Sequence, residues 1–204
     1  MSLSTLAYRH RLVAKRTIAA LARILPATAS KKLRAIAERA AFILTPQYQG
    51  ETLPPIFDYW SSRFLAPAAR RLGIDSPEAF FFARIMDGAS TGEEPRRVLS
   101  VGTGACSMEV ALAERLKQAG AHVHITCIDL NAALMRRAAA TAQARQVSDV
   151  MHFETRDCNR PFQLPPQDVI IVNQFFHHVT ELETFCRSLR ESMAADGSLL
   201  SSDI

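Results

Sequence analysis

Two glycines and one acid carry the clearest chemical signal in this 204-residue chain. Gly102 and Gly104 follow the apolar run 98–101, and Asp129 follows a second apolar run at 122–128. A strand that feeds a glycine turn exposes backbone N–H groups to a ligand, and an acid after the next strand can accept the hydroxyl protons of a ribose. The spacing therefore predicts a nucleotide-binding crevice.

The rest of the glycine pattern narrows the choice of ligand. A dinucleotide fingerprint has a third glycine three residues after the second, and Ser107 stands at that position. This disfavours NAD(P). S-adenosyl-L-methionine (SAM) has no pyrophosphate to cradle, so a shorter glycine turn is enough for it. A purely structural turn is the alternative, and the polar residues at later strand ends favour the ligand.

Two adjacent histidines, His177 and His178, follow the fourth predicted strand. Because imidazole titrates near neutrality, either could accept a proton from a substrate O–H or N–H group. Alternatively, one histidine has its hydrogen bonds satisfied at the end of its element, and the other histidine lines the pocket without reacting. A metal site with Glu181 is a further alternative, but the spacing matches no recognised ligand pattern. We predict His177 and His178 as catalytic residues and expect no metal.

Four aromatic residues lie close together before the glycine turn: Phe57, Tyr59, Trp60 and Phe64. Aromatic faces attract sulfonium and ammonium cations. We therefore predict that Tyr59 and Trp60 bind substrate, together with Phe176 from the end of the fourth strand. The alternative is an aromatic core between a helical cap and the sheet. The run at 80–82 is predicted to be core.

Apolar runs alternate with amphipathic segments from residue 96 onward. The pattern predicts strands at 97–101, 122–128, 150–155, 168–174 and 198–204, and helices at 106–119, 131–146 and 180–194. Asp196 and Gly197 are predicted to end the last helix and turn into the last strand. Strands that alternate with helices indicate an α/β fold with a Rossmann-like, doubly wound, mostly parallel sheet.

Residues 1–90 are predicted to form a helical cap or lid, and residues 91–204 the cofactor-binding domain. The cap begins with two amphipathic helices, at 5–25 and 30–44, and residues 1–45 hold nine Lys or Arg and one acid. Packing of these helices on the main domain, binding to a membrane surface, and an organelle transit peptide are three alternatives for them.

Residues 96–204 resemble the class I SAM-dependent methyltransferases that act on small molecules. The similarity is carried by five stretches: 98–104, 127–131, 156–157, 168–173 with 176–178, and 189–200. It implies that the turn Gly102-Thr103-Gly104 supports the methionine part of SAM and that Asn173 faces both cofactor and substrate.

The resemblance also assigns residues to the nucleoside part of SAM. Asp129, with Leu130 beside it, would bind the ribose, and Asp157, with Cys158 beside it, would border the adenine. Ordinary local roles are the alternatives: Asp129 could cap a helix, Asp157 could stabilise a turn with Asn159, and Asn173 could also be a cap.

Two residues depart from the family pattern. An acid is usual where Ser100 stands, and a third glycine is usual where Cys106 stands. The acid helps to hold the SAM ammonium, so another group or water must do so here. The resemblance also implies two further strands after 198–204. We therefore expect either a longer protein or a partner that covers the fifth strand.

Composition limits the class of protein. Apolar residues make up 48% and charged residues 22%, which is typical of a globular domain. Residues 1–45 carry a net charge of +8 and the remainder −4, which together give +4. Because the basic residues lie outside the mildly acidic remainder of the chain, no nucleic-acid partner is expected. We expect no integral membrane segment and a cytoplasmic protein with four reduced cysteines. A homodimer is one of the oligomeric states that the sequence allows.

Three functions remain at this stage. The first is methyl transfer from SAM to a small-molecule acceptor. The second is another SAM-consuming reaction, the cyclisation of its aminobutyrate arm to a four-membered ring amino acid with release of methylthioadenosine. The third is a non-catalytic scaffold with a SAM-binding fold.

Overall fold

The computed structural model describes residues 55–87 and 94–203. The chain divides into two compact units, 1–48 and 49–204. The helices predicted at 5–25 and 30–44 lie outside the described residues, and the division at residue 90 stays a prediction. In the described part, no helix is both long enough and apolar enough to cross a membrane.

Five parallel strands form a single sheet in the order β3-β2-β1-β4-β5. The strands are β1 (Arg96–Val101), β2 (Val123–Asp129), β3 (Met151–Thr155), β4 (Gln167–Asn173) and β5 (Met193–Ser202). β1 lies at the centre because its apolar residues are buried on both faces, as parallel sheets require. The order reverses at β1, so ligand binding is expected outside the carboxyl ends of β1 and β4. The α/β, Rossmann-like fold is confirmed.

Helices cover the two faces of the sheet. The apolar residues of α3 (Pro77–Met86), α4 (Ser107–Gln118) and α5 (Ala132–Ala144) join one core cluster, and those of α6 (Leu182–Glu191) join the other. Val98 belongs to the first cluster and Leu99 to the second, because successive side chains of a strand point to opposite faces. Phe81 is fully buried in the first cluster, so the predicted core role of the run at 80–82 is confirmed.

The last helix and strand differ from the prediction. α6 ends at Glu191, and β5 begins at Met193, so Asp196 and Gly197 lie inside the strand instead of ending a helix. The pairing of β4 with β5 shifts here: Gln167 pairs with Met193, whereas Val169 pairs with Ser198. Extra residues bulge out of the ladder at this point, and a glycine inside a strand is typical of such a bulge.

Two short helices precede α3. They are α1 (Pro55–Trp60) and α2 (Ala66–Arg71), joined by a π-helical turn at Ser61–Leu65. The side chains of Tyr59, Trp60 and Phe64 are 59%, 40% and 56% exposed. These three side chains are therefore largely exposed in the described part of the chain. The alternative of an aromatic core against the helical cap stays a prediction, because the predicted cap helices lie outside the described residues.

Candidate functional site at the carboxyl ends of the strands

The glycine turn is tied to the end of β2. Asp129 is only 4% exposed, and its two carboxylate oxygens accept hydrogen bonds from the backbone N–H of Gly104 at 2.9 Å and of Asn131 at 2.8 Å. Burial raises the pKa of Asp129 above its ordinary value, although the N–H groups of Asn131 and Gly104 act in the opposite direction. The carboxylate thus fixes the turn beside the end of β2.

The two glycines have different surroundings. Both have positive φ, +70° at Gly102 and +57° at Gly104. A Cβ on Gly102 would lie 2.0 Å from Cδ2 of Phe175, whereas a Cβ on Gly104 would meet nothing within 4 Å. Gly102 therefore admits the Phe175 ring, and Gly104 borders open space. An open, backbone-lined turn beside a buried acid fits the adenosyl and methionine parts of SAM.

The end of β4 lies next to this turn. Asn173 Nδ2 is 3.5 Å from Sδ of Met108, in the first turn of α4. Gln174 follows with a φ of +52°, and its backbone N–H donates to the carbonyl oxygen of Ser202 at 2.7 Å. Residues other than glycine that adopt the left-handed backbone conformation are often found at functional sites. Here Gln174 directs the chain from β4 into the short 3₁₀ helix Phe176–His178.

An acid at the end of β5 orients one of the histidines. His177 Nδ1 is 2.8 Å from Oδ1 of Asp203, and Oδ2 of the same carboxylate accepts the backbone N–H of Phe176 at 2.7 Å. The rings of His177 and His178 lie 4.1 Å apart between centroids and are tilted by 46°. The Phe175 ring that lies against Gly102 is 6.2 Å from the His178 ring, so it joins the histidines to the glycine turn.

The comparisons agree with this arrangement. Residues 99–199 match the model of a methyltransferase domain family, which is about half of the chain. The chain belongs to the class I SAM-dependent methyltransferases. The predicted cofactor, SAM, is thereby confirmed at the level of the family. No curated protein matches the chain.

Several solved structures are similar to this methyltransferase domain. The CMeT domain of the citrinin polyketide synthase is 26% identical with a TM-score of 0.52, over 60% of this chain and 32% of that one. A putative SAM-dependent methyltransferase from Methanococcus maripaludis is 15% identical with a TM-score of 0.51, over 73% and 61%. One from Geobacter sulfurreducens, solved with S-adenosylhomocysteine, is 18% identical with a TM-score of 0.48, over 73% and 55%. The chain spans less than two thirds of each of these three structures.

The methyltransferase domain brings most predicted cofactor residues to one edge. The turn Gly102-Thr103-Gly104, Asp129 and Asn173 follow three adjacent strands, and Leu130 is half-buried beside Asp129. Asn131, and not Asp129, caps α5: its Oδ1 accepts from the N–H groups of Ala133 and Leu134. The alternative of a capping role for Asp129 is therefore wrong.

The residues after β3 make local contacts. Asp157 accepts the backbone N–H of Asn159 at 3.2 Å and pairs with Arg160 at 3.2 Å, which is the turn role considered as an alternative. Cys158 is buried in the core cluster with Ile128, and burial raises its pKa to about 12. Their predicted contacts with adenine stay predictions.

The predicted substrate residues lie on two separate elements of the chain. Phe176 is half-buried and packs edge-on against Phe185 at 5.7 Å between centroids. Tyr59 and Trp60 are exposed in α1, and their substrate role stays a prediction. Among the residues that the structure describes, no group of three or more His, Cys, Asp or Glu side chains could hold a metal ion.

A groove of about 520 Å³ lies away from this edge. Its lining includes Arg97, His124, His152 and Gln167, which lie near the amino-terminal ends of their strands, and it contains no predicted site residue. We place the functional site at the carboxyl edge, because the glycine turn, the buried acid and the histidines converge there.

Three residues at or beside this edge were not predicted from the sequence: Phe175, Asp203 and Glu109. Glu109 is a buried acid in the first turn of α4 that accepts a hydrogen bond from Ser100 Oγ. Asp203 follows an apolar strand, as Asp129 does, so an acid at the end of the fifth strand was a usable signal. Phe175 had no separate signal within its aromatic run. Glu109 had the pattern of an ordinary acid in the first turn of a helix.

Proposed function

We propose that this domain transfers a methyl group from SAM to a small-molecule acceptor whose attacking atom carries a proton. The hydrogen bond between His177 and Asp203 at the edge of the glycine turn carries the proposal. An imidazole held by a carboxylate is suited to proton acceptance. We further propose a cytoplasmic location, supported by the four cysteines, all among the described residues, which are free thiols.

The resemblance assigns residues to the cofactor, and their positions at one edge of the sheet support that assignment. Gly102, Thr103 and Gly104 would line its methionine part, Asp129 would accept ribose hydroxyl protons, and Asn173 would face its amino-acid end. Each Asp129 oxygen already accepts one backbone N–H group and retains a lone pair for a further donor. When bound, SAM supplies an electrophilic methyl group on its sulfonium.

The role of His177 follows from its hydrogen bond. In the neutral ring, Nδ1–H donates to Asp203, so Nε2 is left as the proton acceptor. The carboxylate also stabilises the imidazolium that forms when the proton arrives. His177 is about half exposed, which leaves it accessible to an acceptor molecule. Asp203 is thus a positioning residue for His177.

The test begins with the reaction products. The protein is incubated with SAM and a panel of phenols, catechols, amines and carboxylic acids, and S-adenosylhomocysteine is quantified. Formation of S-adenosylhomocysteine with one acceptor class supports methyl transfer. Methylthioadenosine from SAM alone would instead establish the cyclisation. No turnover, together with no binding of S-adenosylhomocysteine in calorimetry, would leave the scaffold function.

Two substitutions then test the base. His177→Gln should lower kcat by about 100-fold or more, the usual contribution of a general base. Asp203→Asn should lower kcat less, because the imidazole remains but loses its orienting charge. Both should leave the Kd for S-adenosylhomocysteine unchanged. His152→Gln is the matched control, because His152 is exposed and lines the groove away from this edge. His178→Gln tests the catalytic role that was also predicted for His178. Equal kcat in wild type and His177→Gln would refute the base role.

A further inference from the structure

A second buried carboxylate lies beneath the glycine turn. Glu109 is the third residue of α4 and is 3% exposed, and its Oε1 accepts a hydrogen bond from Ser100 Oγ at 2.7 Å. A buried carboxylate is costly for folding unless nearby charge and hydrogen bonds compensate it. The positive end of the α4 dipole provides part of that compensation. An apolar side chain at this core position would avoid the cost altogether.

The position of Glu109 relates it to the cofactor site. Ser100 pairs with Ile171 across the sheet, so its side chain shares a face with Asn173, two residues further along β4. Asn173 in turn contacts Met108, the neighbour of Glu109. The Glu109 carboxylate therefore lies between the end of β1 and the first turn of α4, beside the residue proposed to face the amino-acid end of SAM.

We propose that Glu109 is a positioning residue for the cationic amino-acid end of the cofactor. Its charge, held in place by Ser100 Oγ, favours a ligand that carries an ammonium group next to Asn173. Asp129, at the end of β2, serves the ribose instead. The two buried acids thus divide the recognition of one molecule. The inference rests on the proposed function, because it assumes that SAM occupies this edge.

Two ligands separate the two ends of the cofactor. S-adenosylhomocysteine and methylthioadenosine share the adenosine part, but only the first carries an amino-acid end. By calorimetry, Glu109→Gln should raise the Kd for S-adenosylhomocysteine about 10- to 100-fold, as expected when a charge-assisted contact is lost. It should leave the Kd for methylthioadenosine unchanged. Asp129→Asn should weaken both ligands, because both contain the ribose.

Glu114→Gln is the matched control, since it removes a carboxylate from the same helix at its partner Arg145 and away from the turn. It should change neither Kd. Equal weakening of both ligands by Glu109→Gln, or no change in either, would overturn the inference. If Glu109→Gln fails to fold, the double variant Ser100→Asp/Glu109→Gln returns a carboxylate to this position. The double variant should bind S-adenosylhomocysteine more tightly than methylthioadenosine, as the wild type does. A folded double variant without this preference would also overturn the inference. Failure of the wild type to bind either ligand would overturn the proposed function and this inference with it.

Discussion

Substitution of Gly102 by alanine should destabilise the domain more than substitution of Gly104. Both residues have positive φ, so alanine costs about 1–2 kcal/mol of folding free energy at either position. At Gly102 the new Cβ would also lie 2.0 Å from the Phe175 ring, which must move. Overpacking of this kind costs about 1–3 kcal/mol. The free energy of unfolding should therefore fall by about 2–5 kcal/mol in Gly102→Ala and by about 1–2 kcal/mol in Gly104→Ala.

Urea unfolding at 25 °C measures these changes, provided that the m-value is unchanged. Gly120→Ala is a control distant from the site, with φ of +73° and open space around a Cβ. It should match Gly104→Ala. A double-mutant cycle with Phe175→Ala isolates the clash, because the ring is absent in the double variant. Equal losses in Gly102→Ala and Gly104→Ala, or additive losses in the cycle, would refute the close contact between Phe175 and the turn.

Two further predictions concern titratable groups. Burial raises the pKa of Asp129, so the charged carboxylate lowers the stability of the folded state at neutral pH. As the pH falls through the raised pKa toward the ordinary value, the folded protein takes up a proton on Asp129 and this loss of stability disappears. In urea unfolding, wild type should therefore gain stability relative to Asp129→Asn as the pH falls from 7 to about 4; a constant difference would contradict this. Ellman's reagent should titrate one fast thiol in the native protein, because Cys186 is exposed whereas the pKa of Cys158 is raised to about 12. Cys186→Ser should abolish the fast phase, and a second fast thiol in wild type would contradict the burial of the other cysteines.

The sheet could be predicted from the sequence because its strands are short apolar runs between amphipathic helices. The predicted bounds of β1 to β4 agree with the structure within one residue at each end. β5 was harder, because its first half contains Asp196 and Gly197, which are typical of a helix end. Its pairing with Gln167 and the bulge that follows depend on β4, and no local pattern contains that information.

The site was predictable in part for a related reason. Residues at or just after the ends of strands, such as Gly104, Asp129 and Asn173, are brought to one edge by the topology alone. The contacts of Asp203 and Glu109 are different, because they join residues on separate elements. His177 meets Asp203 only because β4 and β5 are paired neighbours, and Ser100 meets Glu109 only through the packing of α4 on β1. Neither contact follows from spacing along the chain.

The two departures from the family pattern, Ser100 and Cys106, lie on the same side of the sheet as Glu109. Ser100 donates a hydrogen bond from its hydroxyl to Glu109, and Cys106 is the N-cap residue directly before α4, with a φ of +58°. A non-glycine residue costs about 1–2 kcal/mol in this conformation. Cys106 is fully buried in the core cluster that also contains Cys127, with its Sγ 3.1 Å from Thr103 Oγ1. These contacts offset the backbone cost, and a glycine would leave their space empty. The serine, the cysteine and the helical acid therefore form one arrangement, in which the carboxylate beneath the turn comes from α4 and not from β1.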